Sequence, residues 1–143
     1  MRRSPLLPVF ALALLVVGCS NGESSEGATD EPRTIQATLS DDMRIELSDA
    51  ETAVGESVLF EVTNAGAVQH EFYLGDVAAQ DDHAEEMAES DGMAHDEPAA
   101  VAVAPGATET LEYTFEEVGE ILAGCHEPGH YDAGMVTTFM VSQ

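Results

Sequence analysis

From about residue 34 to the end of the chain, short segments of alternating apolar and polar residues are separated by turn signals. A period of two places every second side chain on the same face, which is the pattern of a strand with one buried face. Asn64-Ala65-Gly66 and Pro105-Gly106 are two of the intervening turns. Many short strands at such spacing predict an all-β sandwich or barrel. The predicted strands cover residues 34–39, 43–47, 57–63, 68–74, 99–104, 108–115, 119–124 and 135–141.

The N-terminal residues resemble an export signal. Two arginines precede an apolar run at residues 6–17, which is shorter than the roughly 20 residues that a membrane span needs. The run ends in Val-Val-Gly-Cys19, which resembles a bacterial lipobox whose cysteine is lipidated; an ordinary signal peptide with an incidental cysteine is the alternative. We therefore expect a lipoprotein signal at residues 1–19, a flexible acidic linker at 20–33 and a folded domain at 34–143, tethered at the outer face of the cell membrane or in the periplasm.

The charge balance limits the partners of the chain. It has 28 Asp and Glu against 4 Lys and Arg, a formal net charge of −24. Nucleic acid and anionic lipid surfaces are therefore poor partners. The acids are spread throughout, which favours a general surface property, although steering of a basic redox partner stays open. We expect a monomer that reaches the membrane only through its lipid anchor.

Metal-binding residue types cluster near the C-terminus, where Cys125, His130 and Met135 form a Cys-x4-His-x4-Met motif. If Cys19 carries lipid, Cys125 has no disulfide partner, and it is either an inert buried thiol or a metal ligand. His70, on the predicted strand 68–74, supplies a second imidazole from a distant part of the chain. One thiolate, two imidazoles and one thioether are the ligand set of a mononuclear electron-transfer copper site. Zinc accepts the Cys and His ligands as well, but the thioether and the Irving–Williams order favour copper.

Two motifs carry a resemblance to the cupredoxins of the plastocyanin/azurin superfamily. They are Val-Thr-Asn-x-Gly followed by His-Glu-Phe at residues 70–72, and the Cys-x4-His-x4-Met motif. The chain is similar to bacterial exported members with an acidic His/Met insert. The resemblance covers residues 34–143 and implies a Greek-key β-sandwich with one type 1 (blue) copper. The implied ligands are His70, Cys125, His130 and Met135.

The chain departs from the usual pattern at two positions beside these ligands. Glu71 follows His70 where many cupredoxins have an Asn that ties the two ligand loops together, so the rigidity and redox tuning of the site are open. His126 follows Cys125. Since neighbouring side chains on an extended segment face opposite ways, we expect His126 at the surface, pointing away from the metal.

Residues 75–98 interrupt the strand pattern with a segment rich in Ala, Asp, Glu, Met and His. It predicts a helix from Val77 to about Glu89, with Asp76 as the N-cap. Imidazoles and thioethers suit Cu(I), and acids add capacity for Cu(II). Two interpretations stay open: a second, weaker copper-loading site, or a solvated lid whose methionines cover the sandwich edge. The residues of that second site would be His83, Met87, Met93 and His95.

The leading functional prediction is a membrane-tethered, extracytoplasmic one-electron carrier that cycles between Cu(II) and Cu(I). Its partner would be a cytochrome or a copper oxidase or reductase. The alternative is a copper-sequestering or copper-tolerance lipoprotein. An enzyme is not expected, because multicopper oxidases and copper nitrite reductases need His-x-His pairs and the five histidines form none.

Overall fold

The computed structural model describes residues 31–89 and 97–143. The predicted signal, Cys19 and most of the linker lie outside these residues, as do Met93 and His95. Among the described residues, no helix is both long and apolar enough to cross a bilayer. The described elements are β1 Arg33–Ser40, β2 Arg44–Leu47, β3 Glu51–Ala53, β4 Ser57–Asn64, β5 His70–Gly75, α1 Val77–Glu89, β6 Ala100–Val103, β7 Thr108–Thr114, β8 Gly119–Gly124 and β9 Val136–Ser142.

Two sheets contain all of these strands, in the orders β2-β1-β4-β7 and β3-β9-β8-β5-β6. Neighbouring strands are antiparallel except for the parallel pairs β1–β4 and β3–β9. The predicted all-β sandwich is confirmed, and so are eight predicted strands. The ninth, β3, was not predicted.

The core lies between the sheets and is built from the inward positions of the alternating strands. Along β4 the side chains of Val58, Phe60 and Val62 are buried, whereas Glu61 faces solvent. Phe60 lies at the centre of an aromatic cluster, with its ring centroid 5.3 Å from that of Phe72. Tilted and edge-on aromatic pairs at such distances add to the stabilisation from buried area. The other rings of the cluster are Phe115 and Phe139.

Helix α1 has the predicted bounds and covers the outer face of β5. The Oδ1 atom of Asp76 accepts a hydrogen bond of 2.8 Å from the backbone N–H of Ala79, which confirms the predicted N-cap. The buried side chains of the helix are Gln80, His83 and Met87. Every residue of β5 is buried as a result, because one face packs into the sandwich and the other against the helix.

Candidate metal centre

The structure brings His70, Cys125 and His130 together at one end of the sandwich. The Nδ1 atoms of the two histidines are 3.2 Å apart. The Sγ atom of Cys125 lies 3.4 Å from Nδ1 of His130 and 3.9 Å from Nδ1 of His70. Three donors of the types predicted from the sequence therefore face one another across a small space.

These separations fit one soft metal ion. Imidazole nitrogens bind transition metals at about 2.0 Å and thiolate sulfur at about 2.3 Å, which puts ligand atoms on one ion about 3.2 to 3.8 Å apart. A thiolate with two imidazoles suits copper or zinc. The donor set and its spacing are therefore those of a mononuclear transition-metal site.

The loop from Cys125 to Met135 is held by its own backbone hydrogen bonds. The N–H of Cys125 donates to the carbonyl of Met135, and the N–H of Met135 donates to the carbonyl of His130. The predicted turn at Pro128-Gly129 is present, with the N–H of His130 donating to the carbonyl of Glu127 over 2.9 Å. Gly129 has a φ of 83°, which favours glycine. The turn brings the ring of His130 next to the thiol of Cys125.

Met135 is fully buried where the loop enters β9. Its backbone is fixed at both polar atoms by the loop hydrogen bonds. Its role as the axial ligand stays a prediction.

Burial sets the protonation state of the candidate ligands before a metal binds. It raises the pKa of the Cys125 thiol to about 11, although the backbone N–H of Glu71, 3.3 Å from Sγ, opposes this shift. Burial, together with the neighbouring His70, lowers the pKa of His130. At neutral pH the thiol is therefore protonated and His130 is neutral, so a metal must displace the thiol proton.

Asp41 contacts the site, although the sequence pattern did not predict it. Its Oδ1 atom is 3.2 Å from Nε2 of His70, and its Oδ2 atom accepts a hydrogen bond from the N–H of Ala67. Because a carboxylate accepts hydrogen bonds, Asp41 favours the tautomer of His70 with its proton on Nε2 and its lone pair on Nδ1, toward Cys125. The only local signal was an acid in the turn between β1 and β2, 29 residues before His70.

Asn64 and Gly66 shape the segment that leads to His70. The buried amide of Asn64 donates to the carbonyls of Val68 and Val103, and its Oδ1 atom accepts from the N–H of Gly66. A Cβ at Gly66 would collide with the carboxylate of Asp41. The conformation before His70 therefore depends on both residues.

His126 is buried next to the candidate metal ligand Cys125. The prediction of a surface position was wrong, because only 7% of this residue is exposed. Its ring is on the far side of the chain from Cys125, but helix α1 covers that side. The Nε2 atom of His126 is 2.7 Å from Oε1 of Gln80, and the ring stacks on that of Tyr131. Burial, with the nearby His83, lowers the pKa of His126 to about 4.

Glu71 connects the metal-site strand to the helix. Its carboxyl oxygens lie 3.1 and 3.0 Å from Nε2 of His83, and one of them accepts from the backbone N–H of His126. Burial raises the pKa of Glu71, while His83 and the N–H of His126 oppose the shift. A buried acid thus joins the segments of His70 and Cys125, the task that the Asn performs in many cupredoxins.

The helical insert is placed by the structure only in part. His83 and Met87 lie on the buried face of helix α1, as the lid interpretation expects. His83 does not belong to the cluster of His70, Cys125 and His130. The four-residue copper-loading site stays untested, because two of its members are outside the described residues.

Comparisons with known proteins place the chain among copper proteins. No family model matches it. Among solved structures, a reduced auracyanin from Roseiflexus castenholzii superposes with a TM-score of 0.62 at 25% identity, covering 77% of this chain and 97% of that one. Auracyanin A of Chloroflexus aurantiacus, described as a blue copper protein, gives 0.60 at 20% identity, covering 78% and 100%.

Among curated proteins, three relatives are copper-resistant cuproproteins named CopI. The Rubrivivax gelatinosus protein is 38% identical, over 80% of this chain and 69% of its own length. The Pseudomonas aeruginosa protein is 31% identical, over 92% and 93%. The Vibrio cholerae protein is 35% identical, over 73% of this chain and 62% of its own length. The chain has the cupredoxin fold and belongs to the CopI family of copper-resistant cuproproteins.

Proposed function

We propose that this protein binds one copper ion at a type 1 site and acts in copper tolerance outside the cytoplasm. The ligands would be His70, Cys125 and His130, with Met135 as the weak axial ligand. The observation that carries the proposal is the convergence of one Sγ and two Nδ1 atoms within 3.2 to 3.9 Å of one another. The CopI relatives support the link to copper tolerance.

Bound copper would supply one-electron chemistry between Cu(II) and Cu(I). The protein would contribute a rigid set of donors that suits both oxidation states. Asp41 orients the ring of His70, and the N–H of Glu71 donates to the sulfur of Cys125. His70 and Cys125 are fully buried, whereas His130 is only half-buried and is the natural route for an electron to the surface.

A second candidate function is dedicated electron transfer, which the thiolate and imidazole donor set favours. The partner would be a cytochrome or a copper oxidase or reductase. With a net charge of −24, the protein would select a basic partner surface, and the association rate would fall as salt rises. In either role we propose a monomeric, exported protein held at the membrane by a lipid on Cys19.

The copper site is tested with the full chain loaded with Cu(II). We expect an intense visible thiolate-to-copper absorption that disappears in Cys125→Ser and persists in the control Cys19→Ser. A colourless Cu(II) protein would overturn the type 1 assignment.

The biological role is tested in cells that lack the protein and are grown on toxic copper. The wild-type gene should restore growth and the Cys125→Ser gene should not. Equal rescue by both would overturn copper tolerance through this site. Stopped-flow mixing with a basic cytochrome tests the second candidate: fast, salt-sensitive electron exchange supports a carrier, and exchange slower than turnover of the host's respiratory chain argues against it.

A further inference from the structure

A second group of side chains with metal-ligating atoms lies beside helix α1, with His83 buried, Glu97 partly buried and Glu86 exposed. A ring nitrogen of His83 and carboxylate oxygens of Glu86 and Glu97 all lie within 4.8 Å of one another. His83 and Glu86 are three residues apart and share one face of the helix. Glu97 reaches the same point from the segment before β6. None of the three belongs to the cluster of His70, Cys125 and His130.

The ring of His83 is held in one orientation. It stacks on Tyr73, with ring centroids 3.9 Å apart and planes 3° from parallel. Its Nε2 atom is 3.0 Å from the buried carboxyl of Glu71. In its ionised form Glu71 can only accept a hydrogen bond, so it favours the tautomer of His83 with the proton on Nε2 and the lone pair on Nδ1. Histidines that bind metals are commonly held this way, with the second ring nitrogen donating to a carboxylate.

The Nδ1 atom of His83 is buried and lacks a hydrogen-bond partner among the described residues. The side chain is 3% exposed, so water does not replace the missing partner readily. The Oε2 atom of Glu97 is 3.5 Å away, in a geometry that forms no hydrogen bond. Neighbouring ligand atoms about 2.1 Å from one ion are about 3.0 Å apart in the tetragonal geometry of Cu(II) and about 3.4 Å apart in a tetrahedral site. The separation of 3.5 Å is close to this range, so a small movement of the Glu97 side chain would bring both atoms onto one ion.

One imidazole and two carboxylates select a divalent transition-metal ion. Carboxylates alone would suit Ca²⁺ or Mg²⁺, but an imidazole favours Cu(II) or Zn(II). The Irving–Williams order places Cu(II) above Zn(II) for such ligands. The competing explanation is that Glu71 and Glu97 hold the ring of His83 in place without any metal.

We propose that His83, Glu86 and Glu97 form a second metal site, which binds Cu(II) and is separate from the thiolate site. Its ligands are Nδ1 of His83 and one carboxylate oxygen from each glutamate. Glu71 orients the imidazole through its contact with Nε2. The same Glu71 donates its backbone N–H to the sulfur of Cys125. The two sites are therefore linked through one residue.

The test uses the full chain whose thiolate site is already loaded with copper. Cu²⁺ is then added in the presence of a competing chelator, and electron paramagnetic resonance counts the second population by its wide parallel hyperfine splitting. We expect one further Cu(II) per protein. Glu97→Gln and Glu86→Gln should each weaken it at least ten-fold. The control Glu85→Gln removes the same charge from an exposed position of the same helix and should leave it unchanged.

Pulsed electron paramagnetic resonance identifies the histidine that binds the second copper, through the coupling of the copper electron spin to imidazole nitrogen. The coupling of the second copper to imidazole nitrogen should disappear in His83→Gln and persist in His95→Gln. Equal effects of all three glutamate changes, or loss of the coupling only in His95→Gln, would overturn the proposal. So would a protein that keeps its thiolate absorption and binds no second ion. Failure of the thiolate site itself is seen separately, as loss of that absorption.

Discussion

Raising the pH should destabilise the metal-free protein through one buried group, the thiol of Cys125. In the folded chain this thiol has a pKa of about 11, compared with 9.0 for an ordinary thiol. A group whose pKa is raised by folding contributes stability below its unfolded pKa and loses it as pH rises through its folded pKa. The contribution of Cys125 is therefore complete below pH 9 and lost between about pH 9 and 11.

The size of the loss follows from the shift. Two pKa units at about 1.4 kcal/mol per unit give about 2 to 3 kcal/mol. Cys125 is completely buried, so solvent does not reduce this figure strongly. The same proton opposes metal binding. Because pH 7 is about four units below the pKa of the thiol, removing the proton at that pH costs roughly 5 kcal/mol.

Urea unfolding of metal-free, reduced protein between pH 8 and 11 measures the effect. Cys125→Ser is the matched control, because serine has nearly the same shape and does not ionise in this range. Tyrosines and the other groups titrate in both proteins and cancel in the difference. The stability advantage of wild type over the variant should shrink by about 2 to 3 kcal/mol across the range. Parallel stability curves would show that the thiol pKa is not raised, and the electrostatic reasoning would be refuted.

Three further predictions concern the scaffold around the site. Phe139→Ala, in the aromatic cluster, should cost about 3 to 5 kcal/mol in urea unfolding, and a cost below 1 kcal/mol would contradict the described core. Gly66→Ala should move Asp41 away from His70 and weaken copper binding by about 1 kcal/mol, measured by chelator competition; if Asp41→Ala and Gly66→Ala act through the same contact, their effects will not add. The pKa of Glu56 is lowered to about 2, chiefly by its hydrogen bond from Arg33, so its contribution to stability is present above pH 4.5 and lost toward pH 2. Both side chains are partly exposed, so Glu56→Gln should remove only about 1 kcal/mol at pH 7 and flatten the acid limb of the unfolding curve.

The sequence predicted most of the fold because most of its signals are local. Alternating strands and turn residues act over a few positions, and helix α1 began and ended where its composition and its cap indicated. Strand β3 has no such signal. Its three residues, Glu51–Ala53, are held by parallel pairing with β9, about 90 residues later in the chain.

In the candidate metal site, too, residues with a local signal could be predicted, whereas contacts between distant segments could not. Cys125 and His130 could be found from spacing and chemistry, since one short loop contains both. Asp41 and Gln80 could not, and neither could the contact of His83 with Glu71, because these contacts depend on how distant segments pack. His126 was misplaced for the same reason: a strand pattern shows which way a side chain points, and it does not show what covers it.

The hydrogen bonds inside residues 125–135 have a consequence for how this protein can change during evolution. The loop fastens its first residue to its last through its own backbone, and Glu71 of β5 adds one contact at the N–H of His126. It therefore behaves as an exchangeable cassette that carries Cys125, His130 and Met135 together. We expect insertions or deletions between these residues to alter which metal is preferred while β8 and β9 keep their register. His70 and Asp41 lie outside the cassette, so they set the part of the metal preference that such exchanges leave unchanged.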